Sequence, residues 1–534
     1  KLYASSNTTI TDGGKNGHYT EARAYDTQTY ADVMLNINKT FGDDWSLTAN
    51  VGASLNNIKT DELSYRGPIQ ENGLPNIFNV FDLDDTKKRA EKVGWHDQTQ
   101  SVFASVEVGW KQMLYLTATG RNDWASQIAG SPFKSFFYPS VGLSWVPSST
   151  WDLGNAFSYL KLRGSIASVG LPFPRFLTTP TYEYDATGKI WKDKTHYPIG
   201  DLKPERTITY EVGIDARLWK NISLSASWYS ADTKNQTFDP ALPPSSSYTT
   251  IYLQTGHVRN TGVELSLGYS NQWRDFGWSS NFTFSWNKNE IIDLASGALN
   301  PVTGQPLNLS ELDIKGLGKA KYILKQGGTL GDLYTTSDLK FNDNGYVEVD
   351  KAGNLLLTDE GDQIYLGSVF PSENLAWRND FRYKGINLGL LFTGRIGGIC
   401  YSATQANMDL YGVSEVSAAA RDAGGVLING REMVDAQKWY QAIGSQSGLP
   451  QYYTYSATNF RLQELSLGYT LPRKWFRNKM GLTVSFVGRN LWMIYCKAPF
   501  DPEAVASTGL SYQGIDYFMM PSLRSLGFNV KFEF

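Results

Sequence analysis

No cluster of residues in this sequence has the type and spacing of a catalytic centre. The four histidines, His18, His96, His196 and His257, stand far apart, and none lies in an H-E-x-x-H pair that could hold zinc. No G-x-S-x-G nucleophile elbow occurs, and GLSYQG at 509–514 has the wrong spacing for one. GLGK at 316–319 lacks the rest of a phosphate-binding loop and reads as a turn. Carboxylates are plentiful, but the sequence alone pairs none of them as acid and base. The residues therefore point to binding rather than to bond-making.

Two groups could bind. The acidic stretch 338–362, DLKFNDNGYVEVDKAGNLLLTDEGD, is rich in the oxygen donors that hard cations prefer. The run Asn342, Asp343, Asn344, Gly345, Tyr346 does not complete a calcium loop, so an acidic hairpin is expected and no metal ligand is assigned. The second group is aromatic: Trp191, Tyr248, Trp439, Tyr453, Tyr455 and Tyr512 all fall in long polar connections. Sugar rings stack on such faces while nearby Asp, Asn and Arg bond to hydroxyls. Packing against a partner, or membership of a membrane-interface girdle, is the other reading of the same rings.

The elements that must carry these residues are strands. Ile208, Tyr210, Val212, Ile214, Ala216 and Leu218 alternate with Thr207, Thr209, Glu211, Gly213, Asp215 and Arg217. Side chains alternate faces along a strand, so this segment has one apolar and one polar face. About fifteen such segments recur, near 29–41, 45–57, 97–110, 113–123, 136–146, 158–168, 206–218, 221–238, 258–271, 276–290, 374–384, 386–396, 459–471, 480–493 and 524–534. Most exceed the ~5–6 residues of soluble strands and match the ~9–11 that cross a bilayer at a tilt. Apart from intermediate connections at 124–135 and 147–157, short connections alternate with long ones near 58–96, 169–205, 239–257, 291–373, 397–458 and 494–523. Short periplasmic turns and long extracellular loops produce that pattern in an outer-membrane barrel. The expectation is an all-β, transmembrane antiparallel β-barrel.

The totals agree. The chain has 534 residues, 14% aromatic and only 19% charged, with 31 Tyr and 50 Gly. No window approaches 18 consecutive apolar residues, so no transmembrane helix is expected. A formal charge of −3 carries no polybasic signature, so nucleic acid is not an expected partner. The two cysteines, Cys400 and Cys496, fall on strands separated by one other. At ~4.8 Å per strand they lie ~10 Å apart, so free thiols are expected. The opening KLYASSNTTITDGGKNGH has no signal-peptide core and reads as the middle of an extracellular loop, 1–28. A downward last strand makes the first of fifteen downward too, which fits the C-terminal ~15 strands of a 22-stranded plugged barrel whose plug and first strands lie elsewhere. All of residues 1–534 then form part of one barrel domain.

Five stretches carry a family resemblance: LKPERTITYEVGID (202–215), NTGVELSLGYS (260–270), NFRLQELSLGYTLP (459–472), RNLWMIYCKAPFDPEA (489–504) and GIDYFMMPSLRSLGFNVKFEF (514–534). In this order they resemble SusC/RagA-like TonB-dependent outer-membrane transporters of Bacteroidetes. The resemblance implies active import of a large nutrient, an oligosaccharide or else an oligopeptide, into a Gram-negative cell. It implies a plug, a SusD-like surface lipoprotein as lid, energy from the TonB–ExbB–ExbD complex, outer-membrane lipid around the wall and a dimer of SusCD pairs. It implies no catalysis and no cofactor; calcium in the 338–362 loop stays open, since many relatives carry a fuller D-x-N-G-D-G run there. A passive porin and a soluble glycan-binding β-protein are the rival classes, the first expecting a complete plug-free barrel and the second detergent-free solubility.

The final strand sets Leu526, Phe528, Val530, Phe532 and Phe534 against Ser525, Gly527, Asn529, Lys531 and Glu533. Phe528, Phe532 and Phe534 resemble the C-terminal signal read by the outer-membrane assembly machinery. Replacing Phe534 by Glu, or deleting 532–534, should lower the assembled protein in outer-membrane fractions while synthesis is unchanged. Unchanged surface levels would count against that role.

Overall fold

The computed structural model describes residues 2–4, 14–178, 182–185, 190–193, 196–197, 202–238, 250–294, 309–359, 361, 363–509 and 512–534. One antiparallel sheet of 16 strands dominates, and its strands neighbour each other in chain order. A short strand, Leu2–Ala4, pairs with the start of the first long one, His18–Phe41. Then follow Trp45–Pro68, Arg89–Trp110, Leu114–Ala125, Phe136–Trp145, Phe157–Leu171, Glu205–Leu218, Ile222–Phe238, Leu253–Trp273 and Phe276–Asp293. Glu373–Tyr383, Ile386–Ile396, Asn459–Leu471, Gly481–Cys496 and Ser525–Glu533 complete the order. Each expected segment corresponds to one of these long strands.

Tight turns join most of the strands at one end, with longer connections from Trp145 to Phe157 and from Leu471 to Gly481. Lys111 and Gln112, Trp219 and Lys220, and Lys384 and Gly385 all have positive φ, the backbone twist that a two-residue hairpin needs. At Gly385 (φ +90°) a Cβ would sit 2.7 Å from the Thr470 carbonyl oxygen, so only glycine fits. The other end carries the long connections, as the alternation of lengths implies.

Three boundaries depart from expectation. His18–Phe41, Trp45–Pro68 and Arg89–Trp110 are 24, 24 and 22 residues long, so the expected loops 1–28 and 58–96 are partly strand. Their outer parts carry polar side chains on both faces (Lys59 and Asp61 beside Thr60, for instance), so the apolar–polar alternation fades while the hydrogen-bonded ladder continues. The connection near 397–458 is not irregular: it holds α1 (Ala403–Leu410), α2 (Glu415–Asp422) and α3 (Ala436–Ile443). Ser402, Ser414 and Asp435 cap them, each side-chain oxygen accepting an amide hydrogen bond of 3.1 Å three residues on.

The dry core lies in the long connections, not in the barrel. Four strands from 309–372 (Glu311–Leu317, Ala320–Lys325, Asp332–Thr335, Ile364–Ser368) form a small sheet. Thr454–Ser456, Ile399–Ser402 and Ile515–Asp516 form another, which ties the last two long loops together. Tyr322, Leu333, Tyr401, Leu449 and Ile515, all fully enclosed, share one hydrophobic cluster with Val258 and Ile291 from the strand ends. The Tyr322 hydroxyl donates to the Gln513 carbonyl, bridging two of these loops. The loops thus make a folded dome on the barrel. Within 338–362 the acidic stretch forms tight turns: Asn342 Oδ1 accepts from the amides of Asn344 (3.0 Å) and Tyr346 (3.1 Å), and Asp350 Oδ1 from Ala352 and Asn354 (2.8 Å each).

A buried ion pair anchors the last loop. Arg461, 6% exposed at its side chain, lies 3.1 Å from both Asp501 and Glu503, and its Nε donates to Asn459 Oδ1. Burial pushes the Asp501 carboxyl up, but hydrogen bonds from Ser522, Glu503 and Arg461 outweigh it and hold it below the usual carboxylate range. Its stabilisation is therefore complete above the unfolded value near ~3.9 and is lost as pH falls through the lower folded value. Arg461→Gln strands a buried carboxylate and should cost about 3–5 kcal/mol of local stability. Tyr322→Ala should cost about 3–5 kcal/mol in the dome. Both should raise cleavage of residues 309–524 in limited proteolysis while the barrel keeps its heat-modifiable gel mobility. Unchanged cleavage in both would contradict a cooperative dome.

Candidate functional site

Register fixes which residues face each other through the wall. Starting from the last strand, Phe528 pairs with Phe486, Phe486 with Leu467, Leu467 with Leu388, and Leu388 with Phe381. The row continues through Trp278 and Asn271 in one direction, and parallel rows run through Leu267, Leu224 and Ala216. These residues share one face. Leu47, Val51, Val102, Val106, Leu116 and Val141 extend it across the other half of the sheet. Such an apolar face, several of whose side chains are exposed, is stable only against lipid.

An aromatic girdle marks its lower rim. Trp273 and Phe276 stack at 5.9 Å, Phe276 and Phe381 at 6.4 Å, and Trp45 lies 6.3 Å from Trp110. Tyr210, Trp228 and Trp286 stand on the same face toward the long-loop end. Eight residues separate Trp278 from Trp286, roughly 20 Å of bilayer at a ~45° tilt.

The opposite face is polar and charged. Arg378 donates to Asp380 (2.9 Å) and reaches Glu464 (3.4 Å), which Arg489 also contacts (3.1 Å). Arg163 pairs with Glu211 and lies 3.6 Å from Asp215. Arg121 donates to Asp123 (2.8 Å) and Ser101 (2.7 Å). These pairs are partly exposed, so each is worth only ~0–1 kcal/mol, and they are the lining of a wet lumen rather than supports of the fold. At the loop end Arg175 donates to Asp97 (2.8 Å) and lies 3.7 Å over the Trp95 ring, strapping the connection after Leu171 onto that lining.

The structure separates the six aromatic candidates. Tyr453 is 3% exposed in the dome core, so neither ring face is open to a ligand there. Trp439 is half-buried against the same core and meets Tyr452 edge-on at 6.1 Å. Tyr455 meets Phe500 edge-on at 5.6 Å and is partly exposed. Tyr512 is 41% exposed. Trp191 lies in the short strand Ile190–Asp193, but its side chain and all of Tyr248 lie outside the described residues. Beside Tyr512 the chain exposes Tyr517, Phe518, Met519 and Met520. The Phe518 amide donates to Thr404 Oγ1 (2.6 Å), and Gln446 donates to the Tyr517 hydroxyl (3.1 Å), so this apolar segment is held in place on the dome. The signal for its methionines was the run YFMM inside a polar connection.

Burial keeps the dome's phenols and thiols neutral. It pushes the Tyr452 phenol up to about 12, with the Asp338 carboxylate adding to the effect, and it raises Tyr453 and Tyr455 as well. Cys400 and Cys496 are free thiols, as strand spacing implies, and burial beside Asp516 pushes Cys400 up to about 12. These hydroxyls and thiols can pack and hydrogen-bond but are poorly suited to act as bases or nucleophiles near neutrality. Among the described residues no three His, Cys, Asp or Glu side chains converge as a metal set.

Comparison with known proteins places this architecture. Residues 2–372 match the model of the family described as TonB dependent receptor-like, beta-barrel. TonB-dependent receptor P3 of Formosa agariphila is 25% identical over 98% of this chain and 54% of its own length. TonB-dependent receptor SusC of Bacteroides thetaiotaomicron is 20% identical over 62% of this chain and 32% of its own. The solved structure titled as the RagAB peptide transporter superposes with a TM-score of 0.72, at 19% identity, over 97% of this chain and 56% of that one. The chain thus spans about half the length of the relatives it matches most fully. With its lipid-facing band, polar lumen and family match in agreement, the chain belongs to the TonB-dependent receptor-like β-barrels of the outer membrane, and is SusC-like among them.

Proposed function

We propose that this chain forms the wall and outer mouth of an active importer that carries a large nutrient, an oligosaccharide, across the outer membrane. The observation that carries the reading is the pairing of a charged, wet lumen with a folded dome that presents aromatic rings at one end only. A cavity of that kind binds by stacking and hydrogen bonding, without bond-making groups. Tyr512, Tyr455 and Trp439 are the described contact candidates, and Trp191 and Tyr248 remain candidates beside them. Residues 512–520 present an apolar surface suited to a lid such as a SusD-like lipoprotein.

The rest of the importer comes from outside this chain. Among the described residues, His18–Phe41 meets only the three-residue strand Leu2–Ala4 on its outer side, and Ser525–Glu533 has one neighbour. Each unpaired backbone group in hydrocarbon costs several kcal/mol, so further strands pair with both edges. A barrel of that circumference needs a plug to close it, and a plug needs a periplasmic pull of the TonB–ExbB–ExbD type to open. Oligopeptide import is the second reading; it rests on the shared fold with the RagAB peptide transporter.

Binding by the intact complex tests the choice. Tyr512→Ala should weaken oligosaccharide binding several-fold, since a ring contact is worth about 0.5–1.5 kcal/mol beyond its area. Tyr453→Phe, altering an enclosed ring, should leave binding unchanged. Calorimetric titration with neutral oligosaccharides and with oligopeptides distinguishes the readings. Peptide binding without glycan binding would replace the first by the second, and binding of neither would overturn both. Uptake should also cease when TonB is removed; uptake that persists would indicate a passive pore.

A further inference from the structure

The lipid-facing side carries a cationic cluster that neither the lumen nor the dome uses. Arg206 and Lys234 are direct register partners on adjacent strands, and Lys234 is in turn the partner of His257. Asp232 pairs with Arg259, and Arg259 with Glu290. Face follows from parity. Arg206 lies in the row of Ile208, Tyr210 and Val212, and Lys234 in the row of Trp228 and Ala226. One residue from Arg259 and Glu290, Val258 and Ile291 are sealed in the dome core on the inner side, so the charged set points out. It stands four residues above Tyr210 and six above Trp228, beyond the aromatic girdle. That is the height of lipid headgroups in the outer leaflet.

The charges do not balance within the cluster. Asp232 accepts from Arg259 (2.9 Å) and contacts His257 (2.7 Å), and Lys288 pairs with Glu290 (2.7 Å). Glu373, at the cluster's far edge, accepts from Ser372. Arg206 donates from Nε to Ser168 Oγ (2.8 Å). Among the described residues neither Arg206 nor Lys234 has an acidic partner, and both are exposed. Two like charges directly opposite each other in an antiparallel pair repel. An anion lying between them removes the repulsion and gains charge-assisted hydrogen bonds from a guanidinium and an ammonium. At this height and on this face the available anion is part of the membrane.

We propose that Arg206 and Lys234, flanked by Arg259 and His257, bind the phosphate of an outer-leaflet glycolipid of the lipid A type. Its acyl chains would lie along the apolar row of Tyr210, Val212, Trp228 and Val263. The four strands span roughly 14 Å, enough for one phosphorylated sugar headgroup. The site is independent of the imported substrate.

The test uses the intact complex reconstituted in nanodiscs containing phosphorylated lipid A or the same lipid after phosphatase treatment. Native mass spectrometry counts lipid A retained per protein. Wild type should retain the phosphorylated form, and the double variant Arg206→Gln, Lys234→Gln should retain several-fold less. The charge-preserving Arg206→Lys, Lys234→Arg should keep most of the retention. Lys39→Gln, on the same outward face near the opposite rim, should change nothing. Heat-modifiable mobility of each variant shows that the barrel is assembled. Equal retention by wild type and the double glutamine variant would overturn the proposal. So would equal retention of the dephosphorylated lipid by wild type.

Discussion

Inside hydrocarbon no water can take over an unmade backbone hydrogen bond, and every other feature of this chain follows from that. It forces the strands into one continuous ladder in chain order. It makes one face of that ladder apolar wherever lipid lies against it. It keeps most turns at one rim to a few residues, although longer connections run from Trp145 to Phe157 and from Leu471 to Gly481. Irregular backbone is allowed only above the membrane, and there the chain spends its long connections. The lumen is polar for the complementary reason: pairs such as Arg378–Glu464 and Arg163–Asp215 face water, where charges are inexpensive and contribute little to stability.

The stabilising core has consequently moved out of the barrel. Tyr322, Tyr401 and Ile515 are enclosed in the dome, where three connections share a common apolar cluster and two of them a three-stranded sheet. A mouth built this way is rigid enough to hold rings at fixed positions, yet its identity depends on loops that can vary without disturbing the ladder. Arg461 with Asp501 and Glu503 joins the two regimes, fixing a loop to a strand end through a buried guanidinium.

How much of this could be read in the sequence depends on what the membrane demands of each segment. Where lipid lies on one face, as at Ile208–Leu218, alternation exposes the strand. Above the bilayer that demand ends, so His18–Gln28 and Ile58–Pro68 are strands that alternation could not reveal. Helices α1 to α3 are each eight residues, about two turns, too short for a helical period to stand out; only Ser402, Ser414 and Asp435 announced them. The aromatic candidates show the sharper limit. Tyr453 and Tyr512 are the same residue type in polar connections, yet one is enclosed and the other open, because long-range packing decides it. Arg206 and Lys234 are each visible as outward charges, but only the register between strands makes them a pair.

The central claim is that His18–Phe41 and Ser525–Glu533 are joined to further strands in the assembled protein. Amide hydrogen exchange on the intact complex in nanodiscs, resolved by mass spectrometry, addresses it directly. If the ladder closes, residues 29–41 and 525–533 exchange as slowly as the mid-barrel strand Gly481–Cys496, whose two neighbours are known. If the outward amides of either edge exchange as fast as those of an exposed turn such as 42–44, the edges are open and the closed-barrel account is wrong.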